Sequence, residues 1–265
     1  MPLPLSLFLI VKNEADRIGD TLDAVAGLAQ DVVVVDSGSS DGTQEIAQAK
    51  GARVIFHPFE GYGPQKRFAE DQCRHLWLLN LDADEVMPKE TVAAIRALFA
   101  AGEPPLDAYE TRIAEVFPGE RDVHPLAYAL VPVRLYRRDK GRYSASIVHD
   151  RVELSPGAKV GRLPGTIRHR SVRSLGDQIT KLNAYSDQQA RDLDLRGVRI
   201  PTLRILLEFP GAFLKAYVGR RHFVRGVYGF LTAMNYAIAR HLRVAKHYER
   251  RARRAAGEDP GDGRG

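Results

Sequence analysis

The first hundred residues alternate short apolar runs with amphipathic segments, and this alternation constrains the fold more than any other feature of the chain. The apolar runs are bounded by polar or turn residues and are rich in β-branched or bulky side chains, as buried parallel strands are. They are Leu5–Val11, Val32–Asp36, Arg53–Phe56 and Leu76–Leu81. The segments with helical spacing are Glu14–Leu28, Gly42–Lys50, Pro64–His75 and Lys89–Ala101. The pattern predicts an α/β fold with a parallel sheet covered by helices on both faces.

Polar clusters follow three of these predicted strands. Lys12-Asn13-Glu14 follows the first strand, residues 36–43 follow the second, and Asp82-Ala83-Asp84-Glu85 follows the fourth. Parallel sheets bind ligands at the carboxyl ends of their strands, so the three clusters predict one ligand site. No Gly-x-Gly-x-x-Gly segment follows a strand, and a dinucleotide site of the Rossmann type is therefore not expected.

Asp82 and Asp84 are the strongest local signal for chemistry. Two carboxylates just past a buried strand need a cation, because an unpaired buried carboxylate costs several kcal/mol. Oxygen ligands of this kind suit Mg²⁺ or Mn²⁺, which also bind phosphate oxygens of a substrate. The alternative is a solvated loop in which Asp84 caps the next helix.

Asp36 ends a run of four valines and begins a turn rich in small residues. Its place at the sheet edge favours a role as an acceptor of hydrogen bonds from a base or a ribose. Asp41, in the same turn, is either a second such acceptor or the N-cap of the following helix.

Four segments in a fixed order resemble the family 2 glycosyltransferases over roughly residues 5–100. They are Ile10–Glu14, Val35–Thr43, Gly63–Arg67 and Leu79–Glu85. The resemblance implies a GT-A fold, a nucleotide-diphosphate sugar as donor, a UDP-sugar above all, a divalent metal and inversion at the anomeric carbon.

The resemblance also implies roles for individual residues. Those near the nucleotide and its phosphates are Asn13, Glu14, Asp36, Lys66, Arg67 and Asp82. Within this set Asn13 and Glu14 line the nucleotide pocket, Asp36 contacts the base, and Asp82 lies near the ribose. Asp84 holds the metal, with Asp82 as the second carboxylate of the metal site.

The second half of the chain resembles the lipopolysaccharide core branch of this family, the WaaE/KdtX-like enzymes. The segments that carry this likeness are residues 147–150, 167–171, 181–186, 213–217 and 226–230. The branch implies transfer of a sugar, with glucose as the first guess, to a lipopolysaccharide-core or other envelope glycan.

Asp150 is the candidate general base, since an acceptor hydroxyl is a poor nucleophile without one. The branch usually carries Glu at this position, and the alternative role for Asp150 is a surface ion pair with Arg151. His149 is either a further metal ligand or a structural hydrogen-bonding residue, and the arginines beside His169 indicate contacts to phosphate on an acidic acceptor.

The resemblance and the boundary at Pro104-Pro105 divide the chain into three predicted regions. The GT-A catalytic domain spans residues 1–174, with a donor half at about 1–103 and an acceptor half at about 104–174. The latter contains predicted strands at Ala108–Phe117 and Leu130–Arg137, followed by a predicted hairpin turn at residues 138–141. A helical, basic region spans residues 175–255, and a disordered tail spans 256–265.

Charge is concentrated at one end of the chain. The net charge is +6, and the segment from Lys215 to Arg254 alone carries +10. This distribution predicts contact with an anionic membrane surface through the arginines and neighbouring aromatic residues, although a solvated face is equally typical of such a run. The single cysteine and the lack of a signal-peptide pattern predict a cytoplasmic enzyme, peripheral on the inner face of the membrane.

Two other classes of protein remain open on these residues. A phosphohydrolase of the haloacid dehalogenase type also places Asp-x-Asp after a strand, but normally after the first one. A non-enzymatic binder of anionic membranes or nucleic acid would use the basic end, but it leaves the three carboxylate clusters unexplained. Nucleic acid is therefore not expected as a partner.

Overall fold

The computed structural model describes residues 1–147 and 150–258. The chain forms two compact units. The first contains Met1–Glu115 and Ala129–Ser171, and the second contains Val116–Tyr128 and the chain from Val172 onward. His149 and residues 259–265 of the predicted tail lie outside the described residues, and the division at residues 174 and 255 stays a prediction.

The first unit is built on a mixed β-sheet whose strands run in the order β3-β2-β1-β4-β8-β6-β11-β5, with β7 paired to β6. The strands of the described chain are β1 (Leu3–Val11), β2 (Ala29–Asp36), β3 (Arg53–Phe56), β4 (Trp77–Asn80), β5 (Glu85–Val86), β6 (Ala108–Glu115), β7 (Ala129–Leu130), β8 (Val133–Arg137), β9 (Gly141–Tyr143), β10 (Val152–Leu154) and β11 (Val160–His169). The first four strands are mutually parallel, as predicted, whereas β8 pairs antiparallel with both β4 and β6.

Helices cover the sheet and make up most of the second unit. In chain order they are α1 (Ile18–Ala24), α2 (Thr43–Ala49), α3 (Tyr62–Gln72), α4 (Lys89–Ala100), α5 (Leu175–Leu195), α6 (Thr202–Leu214) and α7 (Gly226–Ala255). Between α6 and α7 lie a π-helical turn, Lys215–Gly219, and a 3₁₀ turn, His222–Arg225.

Alternation along β1 creates the two faces of the core. Leu5, Leu7 and Leu9 pack on the side that also receives side chains of α1 and α4. Phe8 points to the opposite side, where it meets Ala69 of α3 and Cys73 just after that helix. Successive side chains of a strand point to opposite faces, so one apolar run supplies both layers. The prediction of an α/β fold is confirmed.

Two predictions for the middle of the chain are wrong in detail. The single strand expected over Leu130–Arg137 is interrupted before Val133, where Pro132 lacks the N–H needed to continue a ladder. The turn at residues 138–141 forms, but it does not close a hairpin, because β9 pairs with β10 in a separate sheet. Both edges of β8 are already occupied by β4 and β6, which leaves no edge for β9.

A buried polar network ties the first three strands to the end of α3. Ser6 Oγ donates to Asp31 Oδ2 at 2.7 Å, and Arg53 Nε donates to Asp31 Oδ1 at 2.9 Å. The backbone N–H of Arg74 donates to the same carboxylate at 3.1 Å. Burial alone would raise the pKa of Asp31, but the hydrogen bonds from Arg53 and Ser6 outweigh it and hold the pKa below its usual value.

We expect Asp31→Asn to lower the free energy of unfolding by about 1–3 kcal/mol at pH 7, because a charged acceptor of three donors is lost. The pKa of Asp31 is lower in the folded state than in the unfolded chain, where it is about 3.9. The wild-type advantage is therefore present above that pH and declines as the pH falls below it. Urea unfolding between pH 7 and pH 3.5 measures both effects.

The matched control is Asp23→Asn, which removes only a surface ion pair of 2.6 Å with Lys50. Such a pair contributes about 0–1 kcal/mol. Equal losses of stability in the two variants would contradict a structural role for the Asp31 network.

Candidate active site

The loops that follow β1 and β2 are bonded directly to each other. Asn13 has a φ of +56°, in the left-handed region that asparagine tolerates better than most residues. Its backbone N–H donates to Ser39 Oγ at 2.8 Å, and its side-chain Oδ1 accepts from the N–H of Ser40 at 2.9 Å. The predicted nucleotide-pocket residue thus holds the two loops in register while remaining exposed.

Asp36 is fully buried at the end of β2, and its carboxylate is occupied by its own loop. Oδ1 accepts from the backbone N–H of Gly38 at 2.8 Å, from that of Ser39 at 2.9 Å and from Gln44 Nε2 at 2.9 Å. Oδ2 accepts from the hydroxyl of Ser39. The carboxylate therefore sets the shape of the loop that precedes α2.

Arg17 connects the loop after β1 to the carboxylates after β4. Its Nε donates to Glu14 Oε2 at 2.9 Å, and its Nη1 lies 3.5 Å from Asp84 Oδ2. Nη1 also donates to the carbonyl of Arg170 at 2.7 Å, just beyond β11. The backbone N–H of Glu14 donates to Thr43 Oγ1 at 2.8 Å, so Glu14 is held from both sides.

Asp84 faces His169 across the edge of the sheet. His169 Nε2 lies 3.3 Å from Asp84 Oδ1. Burial alone would lower the pKa of His169, but the hydrogen bond and charge of Asp84 raise it to about 9. For Asp84 burial acts to raise the pKa, and the bond to His169 lowers it overall. The two side chains therefore form a charged pair at the mouth of the site.

Asp82 is held by two cations, one on each oxygen. Lys66 Nζ lies 2.9 Å from its Oδ1, and Arg134 Nη2 lies 3.0 Å from its Oδ2. Lys66, on α3, is almost fully buried and reaches Asp150 Oδ2 as well, at 2.6 Å. Burial would lower the pKa of Lys66, but the charge of Asp82 raises it above the usual value. One ammonium group thus joins two of the predicted site residues.

Arg67 follows Lys66 on α3, but its side chain points in a different direction. Its Nη1 donates to the carbonyl of Tyr143 at 3.5 Å. The resemblance left Lys66 and Arg67 as equal candidates for the phosphate region, and in the structure Lys66 is the one bonded to the site carboxylates.

Arg134 and Glu85 complete the buried part of the network. Glu85 belongs to the polar cluster predicted after β4, whereas Arg134 was not predicted as a site residue. Arg134 donates to the carboxylate of Glu85 and to Asn80 Oδ1, which also accepts from the Tyr143 hydroxyl at 2.7 Å. Burial raises the pKa of Glu85 to about 7, although Arg134 opposes the shift. The sequence signal that could have identified Arg134 is an arginine between apolar residues in a predicted strand. A buried arginine needs an acidic partner.

Asp84 and His169 fit a divalent cation better than Asp82 does. In an octahedral site with bonds of about 2.1 Å, neighbouring ligand atoms lie about 3.0 Å apart. The separation of Asp84 Oδ1 and His169 Nε2 is 3.3 Å, whereas both oxygens of Asp82 are bonded to cationic side chains. Within residues 1–147 and 150–258 no group of three or more His, Cys, Asp or Glu residues could hold a metal.

Residues 6–151 match the sequence family described as glycosyl transferase family 2. The chain belongs to this family. It is therefore an enzyme that transfers glycosyl groups, and the phosphohydrolase and non-enzymatic alternatives are excluded.

Curated relatives extend the similarity over most of the chain. A lipopolysaccharide core biosynthesis glycosyltransferase of Rhizobium meliloti, LpsC, is 32% identical, and the alignment covers 96% of this chain and 95% of the relative. An uncharacterized glycosyltransferase of Rickettsia typhi is 35% identical, with 91% and 86% covered. The resemblance to the lipopolysaccharide core branch is thereby confirmed.

Two solved structures superpose on this chain at low sequence identity. Residues 1–349 of Staphylococcus aureus TarS superpose with a TM-score of 0.47 at 16% identity, covering 99% of this chain and 95% of that one. Glucosyl-3-phosphoglycerate synthase of Mycobacterium tuberculosis, crystallised with Mn²⁺, UDP and phosphoglyceric acid, superposes with a TM-score of 0.43 at 19% identity, covering 66% and 73%. In a chain of family 2, the α/β core with its mixed sheet is the GT-A architecture expected from the sequence.

We expect Arg134→Met to lower the free energy of unfolding by about 3–5 kcal/mol, because Glu85 and Asp82 lose a buried cationic partner. Urea unfolding at pH 7 measures the loss. The matched control is Arg137→Met on the same strand, which removes ion pairs with the exposed carboxylates of Asp139 and Glu103. If the control loses as much stability as Arg134→Met, the buried network does not stabilise the sheet.

Proposed function

We propose that this glycosyltransferase moves a sugar from a nucleotide-diphosphate donor, a UDP-sugar first among them, to an envelope glycan acceptor with inversion at the anomeric carbon. The observation that carries the proposal is the pair of carboxylates after β4, each with a different partner. Asp84 faces His169, while Asp82 is joined through Lys66 to Asp150. The similarity to a lipopolysaccharide core biosynthesis enzyme supports a glycolipid or core oligosaccharide as acceptor.

Asp84 and His169 are the residues that we propose hold Mg²⁺ or Mn²⁺. Two protein ligands suffice for such an ion, because it usually keeps water ligands and binds phosphate oxygens of the substrate. When bound, the ion supplies positive charge where negative charge grows on the diphosphate leaving group. Family resemblance assigns Asp82 to the ribose and the metal. We propose that Asp82 contributes to donor binding next to the ion.

The donor-binding role of the loop after β2 follows from its hydrogen bonds. Asp36 is buried and bonded to its own loop, so we propose that it serves the nucleotide by fixing that loop. Asn13 and Glu14 then line the pocket from the loop after β1, which is bonded to the loop after β2. Lys66 holds Asp82 and Asp150 at a fixed separation, and Arg67 extends the basic character of α3.

Asp150 is the proposed general base. The acceptor oxygen forms a bond to the anomeric carbon as the bond from that carbon to the diphosphate oxygen breaks, and the hydroxyl proton passes to the Asp150 carboxylate. The nucleoside diphosphate leaves from the opposite face. Asp150 is partly exposed, with 26% of its side chain accessible, so an acceptor can reach it.

We expect Asp84→Asn to lower the rate of sugar transfer at least about 100-fold, or about 3 kcal/mol of transition-state stabilisation. The rise in melting temperature that UDP-sugar and Mn²⁺ produce together should disappear as well. Asp71→Asn, which alters a surface pair with Arg142, serves as the control. Full activity of Asp84→Asn in the presence of a chelator would rule out metal binding at Asp84.

We expect Asp150→Asn to lower the rate of transfer by about 10²–10⁴-fold, the usual contribution of a general base, while the donor still raises the melting temperature. Glu153→Gln on β10, which pairs with Arg151 at the surface, is the control. If Asp150→Asn abolishes donor binding along with transfer, Asp150 acts on the donor through Lys66 and is not the base.

The place of action that we propose is the cytoplasmic face of a membrane, where a glycolipid acceptor is presented. In the described part of the chain no helix is long and apolar enough to cross a bilayer. The basic region that starts at Lys215 gives the chain a positive end suited to anionic lipid.

A further inference from the structure

The outward side of α6 is apolar along its whole length. Leu203, Leu206, Leu207, Leu214 and, in the following π-helical turn, Val218 have 56–69% of their surface exposed. Their spacing of three or four residues places them on one face of the helix. We call this face, together with the exposed Pro210 between its halves, the α6 stripe.

The opposite face of α6 is apolar too, and it is the face that the second unit uses for packing. Ile205 and Phe209 are half-buried there, and Ala212 and Ala216 are buried. A surface helix normally presents polar residues on the side away from its packing partner. A contiguous exposed apolar face instead marks an interaction surface.

Positive charge borders the α6 stripe. Glu208, on the same helix, has a carboxylate only 9% exposed and ion-paired to Arg204, Arg240 and Arg243. Three cations around one carboxylate leave a net charge of +2. Lys215 extends this flank, so a stripe of leucines lies beside a strongly basic edge.

A cavity of about 180 Å³ lies where the stripe meets this basic edge. Leu207 forms part of its wall, and Glu208, Lys215, Tyr236 and Arg240 line it as well. Arg240 is bonded to Glu208 within this wall, and Lys215 and Tyr236 beside a leucine suit a phosphate group attached to an apolar tail.

The arginines expected from the sequence to meet the membrane are largely engaged inside the second unit. Arg225 is ion-paired to Glu120 with 3% of its side chain exposed, and Arg240 and Arg243 bind Glu208. Among the aromatic residues, Tyr228 stacks on Phe117 with ring centroids 4.9 Å apart. The exposed leucines are therefore better candidates for attachment to the membrane than the arginines are.

We propose that the α6 stripe inserts into the outer layer of an anionic membrane, with Lys215 contacting lipid phosphate. This inference rests on the proposed function, because a glycolipid acceptor lies in such a membrane. The 13 residues of α6 are too few to cross a bilayer, which takes about 20, so the helix lies in the interface. Two copies of the chain facing each other would bring like charges together, which disfavours self-association through the stripe.

The test is flotation of the full chain with vesicles of phosphatidylglycerol and phosphatidylethanolamine. We expect the wild type to bind and the double variant Leu206→Ser/Leu207→Ser to bind at least about 10-fold more weakly, since two leucines no longer transfer from water to lipid. Leu195→Ser, at an exposed leucine on α5, is the matched control and should bind like the wild type.

Lys215→Gln separates the contribution of charge. It should weaken binding to anionic vesicles and reduce the dependence on salt, because the electrostatic part is screened within a Debye length of about 8 Å at physiological ionic strength. Failure of the wild type to float on anionic vesicles, or equal binding by Leu206→Ser/Leu207→Ser, overturns the proposal. Sedimentation showing a wild-type dimer that the double variant converts to a monomer would assign the stripe to a second copy instead.

A label at the stripe tests insertion without relying on loss of binding. Burial raises the pKa of the Cys73 thiol to about 12, so a cysteine introduced by Leu206→Cys reacts selectively with an environment-sensitive fluorophore. Its emission should shift to the blue on addition of anionic vesicles, whereas a label placed by Leu195→Cys should not respond. An unchanged spectrum at both sites overturns insertion.

Sugar transfer measured in parallel keeps the two proposals distinguishable. The serine variants should retain donor hydrolysis in solution, because the stripe contributes no residue to the proposed site. Vesicle binding by a protein that transfers no sugar would sink the proposed function and leave the insertion standing. Protein that transfers sugar but does not bind vesicles would overturn the insertion and leave the proposed function standing.

Discussion

A single buried ammonium group, Lys66 Nζ, joins the carboxylates of Asp82 and Asp150, and the candidate site depends on it. Removing a charge from water costs several kcal/mol unless excellent partners replace the solvent. Here the partners come from the loop after β4 and the chain before β10, so a shift of either segment removes one partner from a buried ion. Arg134 likewise joins two carboxylates, those of Asp82 and Glu85. The charged side chains of the site therefore hold one another in place before any ligand binds.

The two carboxylates of the Asp-x-Asp segment have different surroundings. Asp82 turns inward to Lys66 and Arg134, and its pKa falls below the usual range, since their charges outweigh the effect of burial. Asp84 turns toward His169, a neighbour that can exchange its proton for a metal ion. This difference supports the proposed assignment of the metal to Asp84 and not to Asp82.

Local pattern was sufficient to predict β1 to β4 and the polar clusters at their ends. Short apolar runs and turn residues specify such strands without knowledge of distant partners, and parallel strands necessarily bring their carboxyl ends to one edge. The pairs that complete the site are not local. His169 is 85 residues from Asp84, and Arg134 is 52 residues from Asp82. These pairs arise from the insertion of β8 and the return of β11, and the failed hairpin at residues 138–141 reflects the same sheet order.

The number of basic residues in the C-terminal region predicted a basic segment but not the partners of its side chains. Glu208 and Asp194 together engage Arg204, Arg240, Arg243, Arg250 and Arg254, so many of the cations act first as internal partners of two carboxylates. Helix α6 has apolar residues all round, which the sequence shows but cannot divide into a packed face and an exposed face. That division depends on where α7 packs. Once the packed face is known, the excess leucines have no partner within the described part of the second unit, and a water–lipid boundary is the environment in which leucines and arginines lie side by side at least cost.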